Sequence, residues 1–97
     1  MNGSDTIVVV SYDISDDKKR ERFSKFLKKF GHRIQYSVFE IDNSEKILDN
    51  IIAEIENRFR KDFSQEDSVY IFKMNPNCDI RRYGYAANEP EDYIIVK

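Results

Sequence analysis

The stretch VVVSYDISDDKKRERF, residues 8 to 23, contains the transition that decides the fold. Three valines lead into a Ser-Tyr-Asp sequence that ends at Asp13, and five residues further on a dense cluster of Lys and Arg begins. A short run of β-branched residues predicts a strand over residues 6–12 that is buried on both sides in a central position. An acidic side chain, Asp13, is therefore expected just past the end of a central strand.

The residues that follow this strand carry the start signal of a helix. Ser15, Asp16 and Asp17 are suitable N-caps, and the two carboxylates favour the positive end of a helix dipole. Gly31 is a natural residue to follow the C-cap, because glycine readily adopts the left-handed conformation that ends many helices. A helix is therefore predicted over residues 16–30.

This helix carries two stripes of opposite character. The apolar stripe has the i, i+3, i+4, i+7 spacing of a core-facing surface and comprises Phe23, Phe26, Leu27 and Phe30. The second stripe has spacings of four, three and four residues, and we call it the basic ridge: Lys18, Arg22, Lys25 and Lys29. The helix is predicted to bury one face and to present a row of cations on another.

Residues 32–42 are rich in β-forming residues and alternate along the chain. The alternation places one group of side chains on one side: Ile34, Tyr36 and Val38. It places a second group on the other side: Arg33, Gln35, Ser37 and Phe39. One long bent strand and two short strands both fit this pattern.

A second helix is predicted from the start signal Asp42-Asn43-Ser44 to about residue 61, and SVYIFKM, residues 68–74, predicts a further strand. The resulting order is β-α-β-(β)-α-β. Helices interleaved with strands in a short chain indicate an α+β fold of ferredoxin-like arrangement, with two helices covering one face of an antiparallel sheet.

The chain is predicted to form a single domain over residues 1–97, with its core at about 6–75 and a C-terminal tail at about 76–97. The tail contains Tyr93-Ile94-Ile95-Val96, an additional β-prone run that a four-stranded core does not need. An extra strand and an uncovered sheet face favour a homodimer in which the apolar faces meet.

The composition excludes several classes of protein. The chain is 40% apolar and 35% charged, with six tyrosines and seven phenylalanines, which indicates a folded domain rather than a disordered one. No stretch approaches the roughly 18 consecutive apolar residues of a membrane span, so no membrane association and a cytoplasmic location are expected. Cys78 and His32 are the single residues of their types, which excludes a disulfide framework and a multi-histidine metal site.

The charge is distributed unevenly along the chain. The formal net charge is −2, but residues 1–39 carry +3 and residues 40–97 carry −5. Because salt limits the reach of charges to about 8 Å at physiological ionic strength, a local basic patch can bind phosphate on an acidic protein.

Asp13 has two interpretations. The commoner role of an Asp before a helix is to cap it or to form a turn, although Asp16 and Asp17 already offer that capping. Alternatively, Asp13 is an oxygen ligand for Mg²⁺ or a similar hard cation. One carboxylate makes a poor metal site, so this interpretation requires a second Asp13 brought close by a dimer axis.

The basic ridge also has two interpretations. A solvated helix face explains any single lysine on its surface. Four cations in register, doubled in a dimer, would instead bind the backbone of duplex DNA without reading its sequence.

Two segments together resemble a known family. The first runs from Tyr12 to Asp17, YDISDD, and is followed by the Lys/Arg-rich helix with Phe26-Leu27; the second is GHRIQYSVFE, residues 31–40. Over residues 7 to 42 they resemble the CRISPR-associated protein two (Cas-two) family, the small partner of the spacer-acquisition integrase.

The resemblance implies a ferredoxin-like homodimer whose C-terminal strand adds to the partner's sheet. It implies a bridge between CRISPR-associated integrase (Cas-one type) dimers that holds protospacer duplex DNA, and family members are also described as Mg²⁺-dependent endonucleases acting on RNA or DNA. Asp13 matches the family's metal-binding, catalytic acid. Three arginines match its functional arginines: Arg20, Arg22 and Arg33. Four further residues are expected to support the site: Tyr12, Gln35, Ser37 and Phe39.

Two functions therefore compete, with a third of lesser weight. A DNA-binding adaptor needs only the basic ridge and a dimer, whereas a nuclease needs paired Asp13 residues and Mg²⁺. An RNA-binding module of the same strand and helix order would stack bases on aromatic side chains of the sheet, and among the outward residues of 32–42 only Phe39 is aromatic. The adaptor is the favoured function, with the endonuclease as the alternative.

Overall fold

The structure, a computed structural model, describes residues 6–42, 44–81 and 83–84. Its regular elements, in chain order, are β1 (Ile7–Asp13), α1 (Asp17–Lys28), β2 (Gly31–Gln35), β3 (Val38–Ile41), α2 (Ser44–Glu54) and β4 (Ser68–Met74). The second helix continues through a π-helical turn, Ile55–Phe59, and a 3-10 turn, Arg60–Asp62. The α+β class and the predicted order of strands and helices are confirmed.

The four strands form one antiparallel sheet in the order β2-β3-β1-β4. β1 is central, as its apolar run predicts, and Val10 pairs with Phe39 of β3 and with Ile71 of β4. The buried core joins alternate residues of β1 to α1 and to Ile51 of α2. Both helices therefore cover the same face of the sheet.

An aromatic cluster forms the centre of this core. The ring of Phe23 lies 5.2 Å from that of Tyr12 and 5.1 Å from that of Phe59, in edge-to-face geometry. Phe23 is fully buried. The predicted apolar stripe of the first helix is thus confirmed, and it holds α1 to both β1 and the end of the second helix.

Helix α1 begins where the sequence predicts and ends earlier. Asp16 is the N-cap, and its side chain accepts a hydrogen bond of 3.0 Å from the Lys19 backbone N–H. The helix ends at Lys28, and the prediction that Gly31 follows its C-cap is wrong, because Gly31 is the first residue of β2. A glycine is needed there because a Cβ atom would overlap the Glu40 carbonyl oxygen of the neighbouring strand.

The segment 32–42 forms two short strands joined by a turn at residues 36–37. The pairing of β2 with β3 shifts between Arg33 and Gln35, which breaks the simple alternation predicted for the segment. Phe39 pairs with the buried Val10 of β1 and lies in the core with none of its surface exposed, so its predicted place in an outward set is wrong.

No helix formed by the described residues covers the other face of the sheet. We call this side of the sheet the open face. Three pairs of residues across β1 and β4 lie on it: Val9 with Phe72, Ser11 with Tyr70 and Asp13 with Ser68. The additional strand predicted at residues 93–96 lies outside the described residues. Among those described, no helix is long and apolar enough to cross a membrane.

Candidate nucleic-acid interface

The basic ridge is exposed along α1. Its members are Lys18, Arg22, Lys25 and Lys29, and all four side chains are solvent-exposed. None of them forms a salt bridge with another residue in the described part of the chain. The cations of the ridge are therefore available to bind phosphate groups.

Arg20, predicted as a nucleic-acid contact, is engaged by its own chain. It forms an ion pair with Asp17, and it donates a hydrogen bond of 3.0 Å to the carbonyl oxygen of Ile14. The pKa of Arg20 is raised, chiefly by the hydrogen bond to Asp17 and to a lesser extent by Tyr36. Arg20 thereby ties the first turn of α1 to the loop that follows β1.

The side chain of Arg33 is also held by contacts within its own chain. Its guanidinium donates a hydrogen bond of 2.5 Å to the hydroxyl of Ser24, which is buried on α1. The same guanidinium lies over the rings of Phe39 and Tyr36, at 5.2 and 5.9 Å from their centroids. The Nε atom of Arg33 is buried and has no hydrogen-bond partner among the described residues.

A groove of about 450 Å³ lies between α1 and β2, and we call it the α1–β2 groove. Four cations line it: Arg20, Lys25, Lys28 and Arg33. The remaining lining residues are Tyr12, Glu21, Ser24 and Tyr36. The lining thus has four cations and one carboxylate, and Arg20 is also paired with Asp17, so the groove retains a net positive charge.

Asp13 ends β1 on the open face, whereas the preceding Tyr12 is buried on the helix face. The carboxylate is exposed and makes no hydrogen bond or ion pair with another described residue. Within residues 6–42, 44–81 and 83–84, no three His, Cys, Asp or Glu side chains are grouped to hold a metal ion. The described residues of a single chain therefore do not bring a cluster of metal ligands to Asp13.

Asp67 holds the loop between β1 and α1 in place. Its carboxylate accepts a hydrogen bond of 3.0 Å from the Ser15 backbone N–H and another of 2.9 Å from the Ser64 backbone N–H. These bonds lower the pKa of Asp67, that from Ser15 contributing most. Because Asp67 precedes Ser68, the pairing partner of Asp13, it fixes the end of β1 from the neighbouring strand.

The predicted supporting residues have different surroundings. Tyr12 lines the α1–β2 groove, and its backbone N–H donates a 3.0 Å hydrogen bond to the carbonyl oxygen of Ser37. Gln35 is exposed at the end of β2, and Phe39 supports Arg33 from the core. The structure brings Tyr12, Arg20 and Arg33 together, and it leaves Asp13 on the opposite face of the sheet.

Two features of the surface were not predicted from the sequence. On the open face, Tyr70 and Phe72 lie stacked with ring centroids 6.1 Å apart, and 61% and 47% of their surfaces are exposed. Their alternation with Val69 and Ile71 in the strand sequence was the available signal, since the latter two pack against the core. Lys28 and Tyr36 of the groove had no comparable signal, because they meet only in the folded chain.

Comparisons with known proteins extend over the same elements. The curated protein "CRISPR-associated endoribonuclease Cas2 4" of Rhodospirillum rubrum is 34% identical over 92 residues, which cover 91% of this chain and 72% of that protein. "CRISPR-associated endoribonuclease Cas2 2" of Synechocystis is 33% identical over 91% of this chain and 96% of that protein.

The fold is shared with solved structures. A structure titled "Crystal structure of cas2" superposes with a TM-score of 0.63 at 27% identity, covering 92% of this chain and 98% of that chain. A hypothetical protein of Thermus thermophilus, TT1823, gives a TM-score of 0.60 at 29% identity over 76% of this chain and 87% of that chain. The sequence model described as CRISPR associated protein Cas2 matches residues 6–82, and the chain therefore belongs to the Cas2 family.

Proposed function

We propose that this chain, as a ferredoxin-like homodimer in the cytoplasm, binds protospacer duplex DNA and bridges CRISPR-associated integrase dimers (Cas-one type) during spacer acquisition. The observation that supports this proposal is the basic ridge. Its four cations are exposed on one helix and are not paired with any described residue. Such a row fits the regularly spaced phosphates of a duplex, which a protein can bind without reading base sequence.

The open face supports association of two copies. Tyr70 and Phe72 expose a stacked aromatic pair on this face, which no helix in the described part of the chain covers. β4 is also the last strand in the sheet order, so its outer edge is not paired with another described strand. Exposed aromatic surface and a free strand edge both favour burial against a second copy.

Removal of the basic ridge should weaken duplex binding in a salt-dependent manner. Replacement of all four cations by Ala is expected to reduce the slope of log Kd against log salt by about 0.9 for each phosphate contact that is lost. The measurement is fluorescence anisotropy with a labelled duplex at several salt concentrations. The variant concerns Lys18, Arg22, Lys25 and Lys29.

A control variant removes the same charge from other exposed positions: Lys46, Arg60, Lys61 and Lys73. It should retain most of the salt slope, because these residues do not lie on α1. If both variants lost the same part of the salt slope, the ridge would contribute only through the net charge of the protein.

The proposed dimer has its own test, which is light scattering. A mass of one chain at high protein concentration would contradict the dimer.

A Mg²⁺-dependent endonuclease, acting on RNA or DNA, is the second candidate. Several relatives are named CRISPR-associated endoribonuclease Cas2. Asp13 is the residue that such an activity would use, since its exposed carboxylate has no partner among the described residues. A second Asp13 from another copy would be needed, and a bound magnesium ion would supply neutralisation of phosphate charge.

Replacement of Asp13 by Asn tests the nuclease. The amide preserves the size of the side chain and removes its charge, so Mg²⁺-dependent cleavage of a labelled RNA should fall to the rate without protein. Duplex binding at low salt should be retained, because the basic ridge is unchanged. Asp49→Asn, at an exposed position on α2, is the matched control and should cleave as the wild type does. Unchanged cleavage by purified Asp13→Asn protein would exclude the nuclease assignment.

A further inference from the structure

We infer that the α1–β2 groove is a binding site for a single nucleotide with a terminal phosphate, remote from Asp13 and adjoining the duplex-binding ridge, with which it shares Lys25. The ligand is a nucleoside 5′-monophosphate, either free or as the phosphorylated 5′ end of a strand. Its phosphate would lie among the cations of the groove, and its base would stack on Tyr36.

The size of the groove selects a small ligand. Its volume of about 450 Å³ is within the range of roughly 300–1,000 Å³ that is typical of sites for small molecules and cofactors. A duplex, which is broader than the space between a helix and an adjacent strand, cannot enter such a groove. A duplex therefore contacts the outer surface of α1, whereas the groove ligand lies between α1 and β2, and Lys25 borders both.

The charges of the groove select a dianion. Four cations line the groove with one carboxylate, that of Glu21, and Arg20 is also ion-paired with Asp17, so the net excess is two positive charges. A terminal phosphate carries about −1.5 to −2 charges at pH 7, more than the single charge of a phosphate inside a strand. A net excess of two positive charges therefore favours a terminal phosphate over an internal one.

Two of these cations are held in place before any ligand binds. Arg33 is fixed by its hydrogen bond to Ser24 and by the Phe39 ring beneath it, and Arg20 is fixed by Asp17 and the Ile14 carbonyl. A fixed guanidinium loses little conformational entropy on binding an anion.

Tyr36 provides the surface for a base. It lies in the turn between β2 and β3, lines the groove, and has 67% of its surface exposed. The Arg33 guanidinium lies near one side of its ring, which leaves aromatic surface for stacking. Stacking on an exposed ring is tolerant of base identity, so binding with little preference among bases is expected.

The test is calorimetric titration of the full chain with uridine 5′-monophosphate, uridine and inorganic phosphate, without magnesium ion. The monophosphate should bind more tightly than either of the other two probes. Tyr36→Ala should weaken its binding by roughly 5- to 150-fold, the range measured for loss of base stacking. Lys28→Ala should weaken it by roughly tenfold through loss of a charged hydrogen bond.

Matched variants distinguish the loss of a specific binding contact from a general disturbance of the fold. Tyr36→Phe keeps the ring and should bind nearly as the wild type does, and Lys46→Ala removes the same charge from an exposed position outside the groove. No binding of the monophosphate at millimolar concentration, equal binding of inorganic phosphate, or equal binding by Tyr36→Ala would each overturn the proposal.

A second arm distinguishes the two sources of the ligand. Short single strands with a 5′-phosphate and with a 5′-hydroxyl are compared in binding to the wild type and to Lys28→Ala, which lies outside the basic ridge. A preference for the phosphorylated strand that Lys28→Ala removes identifies a strand end as the ligand. Binding of the free monophosphate alone identifies a free nucleotide. The titration uses neither duplex nor magnesium, so its result is independent of whether the adaptor or nuclease proposal holds.

Discussion

Phe23→Ala should lower the free energy of unfolding by about 3–5 kcal/mol, as is typical when a buried phenylalanine is truncated to alanine. Phe23 is fully buried, and its ring contacts those of Tyr12, Phe26, Phe59 and Phe63 at centroid distances between 5.1 and 6.1 Å. Truncation would leave a cavity at the junction of α1, β1 and the end of the second helix. Urea unfolding followed by circular dichroism measures the change.

Phe23→Leu is the matched variant for this experiment. It fills most of the cavity but cannot form the edge-to-face contacts, so it should lose clearly less stability than Phe23→Ala. Both variants must be compared at one protein concentration, because association would make the unfolding midpoint concentration-dependent. A loss below about 1 kcal/mol for Phe23→Ala would show that the core can close around the missing ring.

The elements of this fold could be predicted because their signals are local. The apolar spacing of Phe23, Phe26 and Leu27 requires only the period of a helix, and all three are buried. The capping by Asp16 likewise depends on residues within one turn. Gly31 and Phe39 were misplaced because their positions depend on neighbouring strands: Gly31 lies against Glu40 of β3, and Phe39 pairs with the buried Val10 of β1.

The same difference between local and long-range signals decides which parts of the candidate site could be predicted. The basic ridge follows from helical periodicity alone, and its exposure is confirmed by the structure. The α1–β2 groove could not be predicted, because it forms only when β2 folds back beside α1 and brings Tyr36 of the following turn to the same groove as Lys28. Asp67 was missed for the same reason, since its partner Ser15 is 52 residues away in the chain.

The family resemblance assigned one role to three arginines, and the structure gives them different surroundings. Arg22 is exposed and free of ion pairs with described residues, so it can contact a duplex at little cost. Arg20 and Arg33 already bind groups of their own chain. Replacement of either would disturb the groove and the β1–α1 loop as well as any nucleic-acid contact, so loss of function at these two positions does not by itself show a direct contact.

Gly31→Ala is expected to lower the free energy of unfolding by about 3 kcal/mol, the upper end of the usual cost of overpacking. A Cβ atom at Gly31 would overlap the Glu40 carbonyl oxygen and lie 2.9 Å from the Ile41 Cα atom. Both neighbours are backbone atoms of β3, so no side-chain rotation relieves the clash, and β2 must move away from β3. Because β2 carries Arg33, the same movement should weaken binding of a nucleotide in the α1–β2 groove.

Gly84→Ala is the matched control, since the same methyl group there meets no atom within 4 Å. Gly84 has a φ of 78°, so alanine should cost about 1–2 kcal/mol through backbone strain alone. Urea unfolding of both variants, with monophosphate titration of each, separates the two effects. If Gly31→Ala were as stable as the wild type, the close approach of β2 to β3 would be wrong. If it were destabilised yet bound nucleotide normally, the groove would not depend on the position of β2.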